Sequence, residues 1–183
     1  MSRAYKFRNP DGLYFVSFAV VRWLPVLESE DYKGLIVDSL KYCQEYKKME
    51  IIAWCIMPSH VHLVYRTIGE KPEKVLGSLK RYTSTAIRRK LESEDNHRTG
   101  VFLEVFQKAG NYTSNTASFQ YWQHDNMPIE LWSNKFISQK VRYTHQNPVE
   151  AGLVSRATDY RFSSARDYEG KPGLIENIVI ANI

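Results

Sequence analysis

The sequence predicts an α+β sandwich, a mostly antiparallel sheet with helices packed on one face. Three observations carry this. The 183 residues suit one domain with a full core and leave no comfortable room for a second. The predicted elements run strand, helix, strand, strand, helix, then strand and helix. Residues 51–67 read as a tight hairpin, which fits a doubly wound parallel sheet poorly.

The first strand is "LYFVSFAVVR" (13–22), with Tyr14, Val16, Phe18 and Val20 on one face and Phe15, Ser17, Ala19 and Val21 on the other. "SEDYKGLIVDSLKYCQEYKKM" predicts a helix capped by Ser29, with acids in its first turn and a stripe of Tyr32, Ile36, Leu40 and Cys43. "IIAWCIM" (51–57) is apolar throughout, as a strand covered on both faces should be. Pro58 and Ser59 then turn the chain into the strand 60–67.

A second helix is predicted over 71–91, with Pro72 in its first turn and Val75, Leu79, Ala86 and Ile87 near one face. "ESEDNHRTG" reads as a loop, and "VFLEVFQ" (101–107) and "FQYWQHD" (119–125) as two further strands. A third helix, "NKFISQKVRYTHQN", is capped by Ser133 and should end near Asn147, because Pro148 disfavours helical geometry before it. Residues 151–173 read as loops and turns, and "LIENIVIANI" as a last short strand or a tail. Trp54 and Trp122 are expected in the core.

Composition is that of an ordinary globular protein, 43% hydrophobic and 25% charged. Cys43 and Cys55 lie in apolar surroundings and read as buried free thiols in a reducing compartment. The polar, basic start is unlike a signal peptide, and no run has the length of a membrane span. A cytoplasmic location without membrane contact is the expectation. The formal charge is +5, unevenly placed: Lys80, Arg81, Arg88, Arg89 and Lys90 form an acid-free cluster of five. Such a cluster suits a polyanion such as DNA, or else is a solvated helix face.

The chemistry starts at "WCIMPSHVHLVYR" (54–66), where His60 and His62 sit two apart on a strand and so share a face. They are either two histidines satisfied by polar neighbours or two ligands of one cation, which needs a further ligand from elsewhere. Two unpaired imidazoles on so apolar a hairpin are costly, which favours the metal. Mg²⁺ or Mn²⁺ suits phosphoryl chemistry, and imidazoles also accept softer ions. Tyr143 and Asn147 are four apart on the third helix. If that helix covers the histidine face, a phenol and an amide oxygen both reach the cation, and a phenolate can attack a phosphodiester.

Three separated motifs carry a resemblance. "PSHVHLV" matches a histidine–hydrophobe–histidine motif. "YTHQNPVEAGLV" (143–154), followed by "DYRFSSARDY" (159–168), is similar to a C-terminal signature, and "YWQHDNMPIELWS" (121–133) to the segment before it. Together they resemble the HUH single-tyrosine transposases, in particular the REP-associated tyrosine transposases and their insertion-sequence relatives. The resemblance implies one such domain over residues 1–183 and a ferredoxin-like antiparallel sheet with the histidines on a central strand. It implies cleavage and rejoining of single-stranded or hairpin DNA through a 5′-phosphotyrosine link. Tyr143 matches the nucleophile, His60 and His62 the metal ligands, and Asn147 the third ligand, where the insertion-sequence branch carries glutamine. Such transposases include monomers and domain-swapped homodimers, so both states stand open.

Tyr82, in "LKRYTST", is the rival nucleophile; it lacks an amide partner in motif context. His145 lies on another helix face, as a structural or DNA-facing residue, and His124 is either structural or part of the site. A replication initiator or relaxase of the same chemistry needs further domains. A histidine-triad hydrolase needs a third alternating histidine where Val64 stands. The alternative of a different class is a domesticated, sequence-specific DNA-binding protein without catalysis.

Overall fold

A computed structural model describes residues 6–94, 96–111 and 118–181. Strands β1 (Tyr14–Ala19), β2 (Met49–Ile56), β3 (His60–Thr67) and β4 (Ile129–Glu130) form one antiparallel sheet in the order β2-β3-β1-β4. With helix α1 (Glu30–Tyr46) between β1 and β2 and the hairpin β2-β3, this is the ferredoxin-like split arrangement. Helices α1, α2 (Pro72–Glu94) and α3 (His97–Asn111) pack together on one face, over Val16, Phe18, Ile51, Trp54, Leu63 and Tyr65. Helix α4 (Asn134–Glu150) lies alone on the other face, against β2 and β3, where Phe15, Ile52, Ala53, Val64 and Val141 are buried. The expectation of helices on one face therefore holds for three of the four described α-helices.

The α1 stripe of Tyr32, Ile36, Leu40 and Cys43 is buried. Ser29 occupies the N-cap position of α1, although its hydroxyl makes no cap bond. Ser133 does cap α4, accepting from Phe136 N. Cys43 and Cys55 are buried and unbridged, and burial pushes both thiols up.

Three expectations are corrected. "VFLEVFQ" is not a strand but the middle of α3. Thr99, Phe102, Phe106 and Gly110 are buried at helical spacing, and Asn96 starts the helix by accepting from Thr99 N at 3.0 Å. "FQYWQHD" is not a continuous strand either. Trp122 bridges Val20, Gln123 N donates to Ala19 O, and two extra residues then shift the register before β4 resumes against Phe15. Lastly, α4 runs through Pro148 to Glu150. It ends instead at Gly152, at φ 69°, where Gly152 N donates to Val149 O and Leu153 N to Pro148 O.

Residues 160–168, expected as turns, also close the open edge of β2. Ile56 N donates to Phe162 O, Ser164 N to Trp54 O, and the Tyr168 hydroxyl to Ile52 O. "LIENIVIANI" forms no strand among its described residues, though Val179 N donates to Ile51 O. Ser164 ties this edge to α4: its Oγ accepts from Trp54 N at 2.9 Å and lies 2.8 Å from His145 Nε2. His145 is thus a buried structural residue, packed edge-on against Tyr168.

Burial pulls the His145 imidazole down to about 4. The unfolded chain takes up that proton near the ordinary value of about 6.5. His145 therefore contributes stability that is present above about pH 6.5 and lost as the pH falls through about 4. At about 1.4 kcal/mol per tenfold change in proton affinity, the loss is about 3 kcal/mol. Urea unfolding followed across this range should show it, and His145→Gln should remove that part of the acid dependence while lowering stability at neutral pH.

Candidate active site

β3 leaves the Pro58–Ser59 turn with its side chains alternating. Val61, Leu63 and Tyr65 enter the three-helix core, while His60, His62 and Val64 face the α4 side. Small residues stand opposite the imidazoles, Ala19 across from His60 and Ser17 across from His62. That leaves room for two rings that meet edge to face with their Nε2 atoms 3.0 Å apart.

Helix α4 brings the other two groups. Asn147 Oδ1 lies 3.1 Å from His62 Nε2, and Asn147 Nδ2 donates to the Tyr143 carbonyl at 2.8 Å. The second bond fixes the amide so that its oxygen faces the sheet. Tyr143, one turn earlier, sets its ring 5.2 Å from His62 and 5.8 Å from Phe15, both edge to face. Phe15 in turn stacks on His62. Tyr143 remains 41% exposed, so its ring is held on one side and open on the other.

Burial pulls His60 down to about 4. Burial, then the neighbouring His60, pull His62 down to about 3, against the opposing hydrogen bond to Asn147 Oδ1. Both rings are neutral near pH 7, each with one proton and one lone pair. His60 Nδ1 faces Ser59 Oγ at 3.3 Å, which suits a proton on that nitrogen. His62 Nδ1 is buried with no partner among the described residues. His60 Nε2, His62 Nε2 and Asn147 Oδ1 thus converge with more lone pairs than protons. This donor set fits a divalent cation with two nitrogens, one oxygen and coordination positions left over. Among the described residues no cluster of three or more histidine, cysteine and acidic side chains could hold a metal ion. The three converging donors are therefore neutral near pH 7.

The five basic residues of the α2 cluster do not act as one surface. Lys80 is turned inward, donating to Gln123 O at 2.9 Å and to Asn126 Oδ1, and burial lowers its ammonium to about 8. Arg88 pairs with Glu92, and Lys90 with Asp31 and Glu94. Arg81 and Arg89 are exposed without an ion pair among the described residues. Tyr82, 65% exposed on the same helix, lies across the sheet from the imidazoles. His124 and Gln146 are exposed.

Sequence reading passed over the cations of α4. Lys140 Nζ sits 4.6 Å from the Phe15 ring centre and 5.2 Å from that of Tyr143. Lys135 and Arg142 line an open groove of about 580 Å³ with Tyr143. The signal was present: 134–147 contains no acid, the same pattern that singled out Lys80 to Lys90.

The sequence model described as "Transposase IS200 like" matches residues 22–118, just over half the chain. The chain belongs to this transposase family. The match covers His60 and His62 and stops before α4. Among solved structures, the chain is similar to a REP-associated tyrosine transposase bound to a REP hairpin. The two are 18% identical, with 100% of this chain and 95% of that one covered at a TM-score of 0.65, a likeness of fold. A transposase candidate from Deinococcus radiodurans R1 aligns with 79% of this chain and 97% of its own, at 18% identity and a TM-score of 0.46. No curated protein sequence matches the chain. No described helix is long and apolar enough to cross a membrane.

Lys80 ties α2 to the 123–126 segment along β1. Lys80→Ala should lower stability by about 1–3 kcal/mol, because two part-buried acceptors lose a charged donor. Arg81→Ala and Arg89→Ala should stay within about 0.5 kcal/mol of wild type. Chemical denaturation of the three variants checks this difference.

Proposed function

We propose that the chain is a single-strand DNA transposase that cleaves and rejoins DNA through a 5′-phosphotyrosine on Tyr143. His60, His62 and Asn147 hold a divalent cation, Mn²⁺ or Mg²⁺, beside it. One observation carries the reading: a single sheet face brings two neutral imidazoles, an amide oxygen and a half-exposed phenol together, the last two from consecutive turns of one helix.

When bound, the cation supplies the positive charge that polarises the scissile phosphate and neutralises charge developing on it. The chain's own residues do the rest. His60 and His62 stay unprotonated near neutral pH, so their lone pairs are available for binding. Asn147 holds its amide oxygen toward them while bonding back to Tyr143. Phe15 and His62 fix the Tyr143 ring at the edge of the site. Lys140 and Arg142 place cations beside that ring, where a phosphodiester must enter. The Tyr143 oxygen bonds to phosphorus, the bond from phosphorus to the 3′-oxygen breaks, and that oxygen leaves as a hydroxyl. Attack by a 3′-hydroxyl reverses the step and frees the phenol.

Single-stranded or hairpin DNA is the partner this chemistry needs. The track across α4, through Lys135, Lys140 and Arg142, lies on the side of the site. On α2, Arg81 and Arg89 offer free charges for more distant phosphates, whereas the charges of Lys80, Arg88 and Lys90 are already engaged.

The covalent adduct tests the reading. With single-stranded oligonucleotides and Mn²⁺, the wild type should give a protein–DNA band on a denaturing gel. Tyr143→Phe should lose it while keeping fold and DNA binding, and Tyr82→Phe should keep it. An adduct lost in Tyr82→Phe and kept in Tyr143→Phe reverses the assignment. A wild type that binds DNA without any adduct is the DNA-binding protein without catalysis.

Neutralising Lys135, Lys140 and Arg142 together should flatten the log–log salt dependence of single-strand binding by about two units, at about 0.7 per lost phosphate contact. Titrations at several salt concentrations measure this, and an unchanged slope removes α4 from the DNA track.

A further inference from the structure

The geometry points to Trp23 as a stacking platform for one particular base, that of the nucleotide whose 3′-oxygen departs when Tyr143 attacks. The inference rests on the phosphotyrosine reading and adds a residue and a strand polarity to it.

β1 ends at Ala19, opposite His60, and the chain turns sharply just beyond. Trp23 N donates to Val20 O at 2.9 Å, and Val20 N to Ser59 O at 2.8 Å, so the turn is pinned to the loop that leads into His60. Two consecutive residues other than glycine adopt left-handed backbone there, Arg22 at φ 54° and Trp23 at φ 56°. L-residues take this conformation at a cost, and it persists only where the surroundings enforce it. The indole that results meets His60 edge to face, 5.2 Å between ring centres, yet Trp23 stays 56% exposed. Trp54 and Trp122, by contrast, are 0% and 5% exposed. A strained turn that keeps a large ring in water beside a donor atom is poorly explained by packing. It suits a ring that waits for another flat group.

Direction follows from the row of rings. Trp23, His60, His62 and Tyr143 touch in that order, at 5.2, 4.7 and 5.2 Å. Trp23 and Tyr143 are its two ends. In phosphoryl transfer the attacking and departing oxygens lie roughly in line, on opposite sides of phosphorus. A phosphate held over the imidazoles and attacked from the Tyr143 end therefore sends its 3′-oxygen toward Trp23. The P–O bond to Tyr143 forms, the P–O3′ bond breaks, the phenol proton passes to solvent and the 3′-oxygen takes one up. The base of that departing nucleotide then lies within reach of the exposed indole face, where stacking is tolerant of sequence. Arg22, the neighbouring residue, is exposed as well. The consequence is retention: a stacked 3′ end stays near the phosphotyrosine and can rejoin.

Two measurements test this. In a Tyr143→Phe background, anisotropy of labelled oligothymidylate of about twelve nucleotides should show roughly tenfold weaker binding for Trp23→Ala and near-normal binding for Trp23→Phe. Thermal midpoints close to wild type show that both variants fold. Equal affinity for all three proteins overturns the platform. With Tyr143 intact and an oligonucleotide that forms the adduct, an abasic site just 5′ of the cleaved bond should slow rejoining in wild type and have no further effect in Trp23→Ala. An abasic site just 3′ of the bond should act equally in both. If Trp23→Ala instead masks the 3′ abasic site, the polarity is wrong and the inference falls. A wild type that forms no adduct, yet binds oligothymidylate through Trp23, sinks the phosphotyrosine reading and leaves the stacking contact standing.

Discussion

The site depends on one packing decision: α4 crosses the sheet face that α1, α2 and α3 leave open. A sheet apolar on both faces must be covered twice. On the α4 side the cover is thin, built on Phe15, Ile52, Ala53, Val64 and Val141. The imidazoles sit at the edge of this patch, where β3 begins. Val141 anchors the helix, and the next two turns carry Tyr143 and Asn147 out over His60 and His62. His145, on the opposite side of the same turns, is tied through Ser164 to β2. The helix is thus fixed from two directions, by apolar contact and by a buried polar node, at the point where it faces the imidazoles.

Electrostatics explain why the donors are what they are. Burial keeps His60 and His62 neutral, and Asn147 adds oxygen without charge. On the proposed mechanism, a carboxylate in their place would hold a cation more tightly but repel the phosphodiester. In the proposed reaction, a neutral ligand set would leave the cation's charge for the substrate. Lys135, Lys140 and Arg142 of α4 line the groove that also holds Tyr143.

Much of this was legible in the sequence, for physical reasons. The hairpin, α1, α2 and the start of α4 carry strong periodicity or caps, and such signals survive without tertiary information. His60 and His62 two apart, and Tyr143 and Asn147 four apart, declare shared faces whatever the fold. What sequence hid depends on register and context. "VFLEVFQ" is rich in β-branched and aromatic residues, yet its buried set recurs at helical spacing. Pro148 only removes a donor inside α4, whereas Gly152 supplies the left-handed residue that ends it. Lys80 looked like part of a basic face because no local pattern reveals that its ammonium is buried against Asn126. Phe15 and Trp23 join the site only because β1 pairs with β3 so that Ala19 faces His60.

The central claim is that His60, His62 and Asn147 converge on one cation. Anomalous diffraction from crystals grown with Mn²⁺ tests it most directly. The account predicts a single strong peak between His60 Nε2, His62 Nε2 and Asn147 Oδ1, absent from crystals of His60→Ala/His62→Ala. A well-ordered site with no peak there, or manganese bound elsewhere while the three atoms stay in mutual contact, would contradict it.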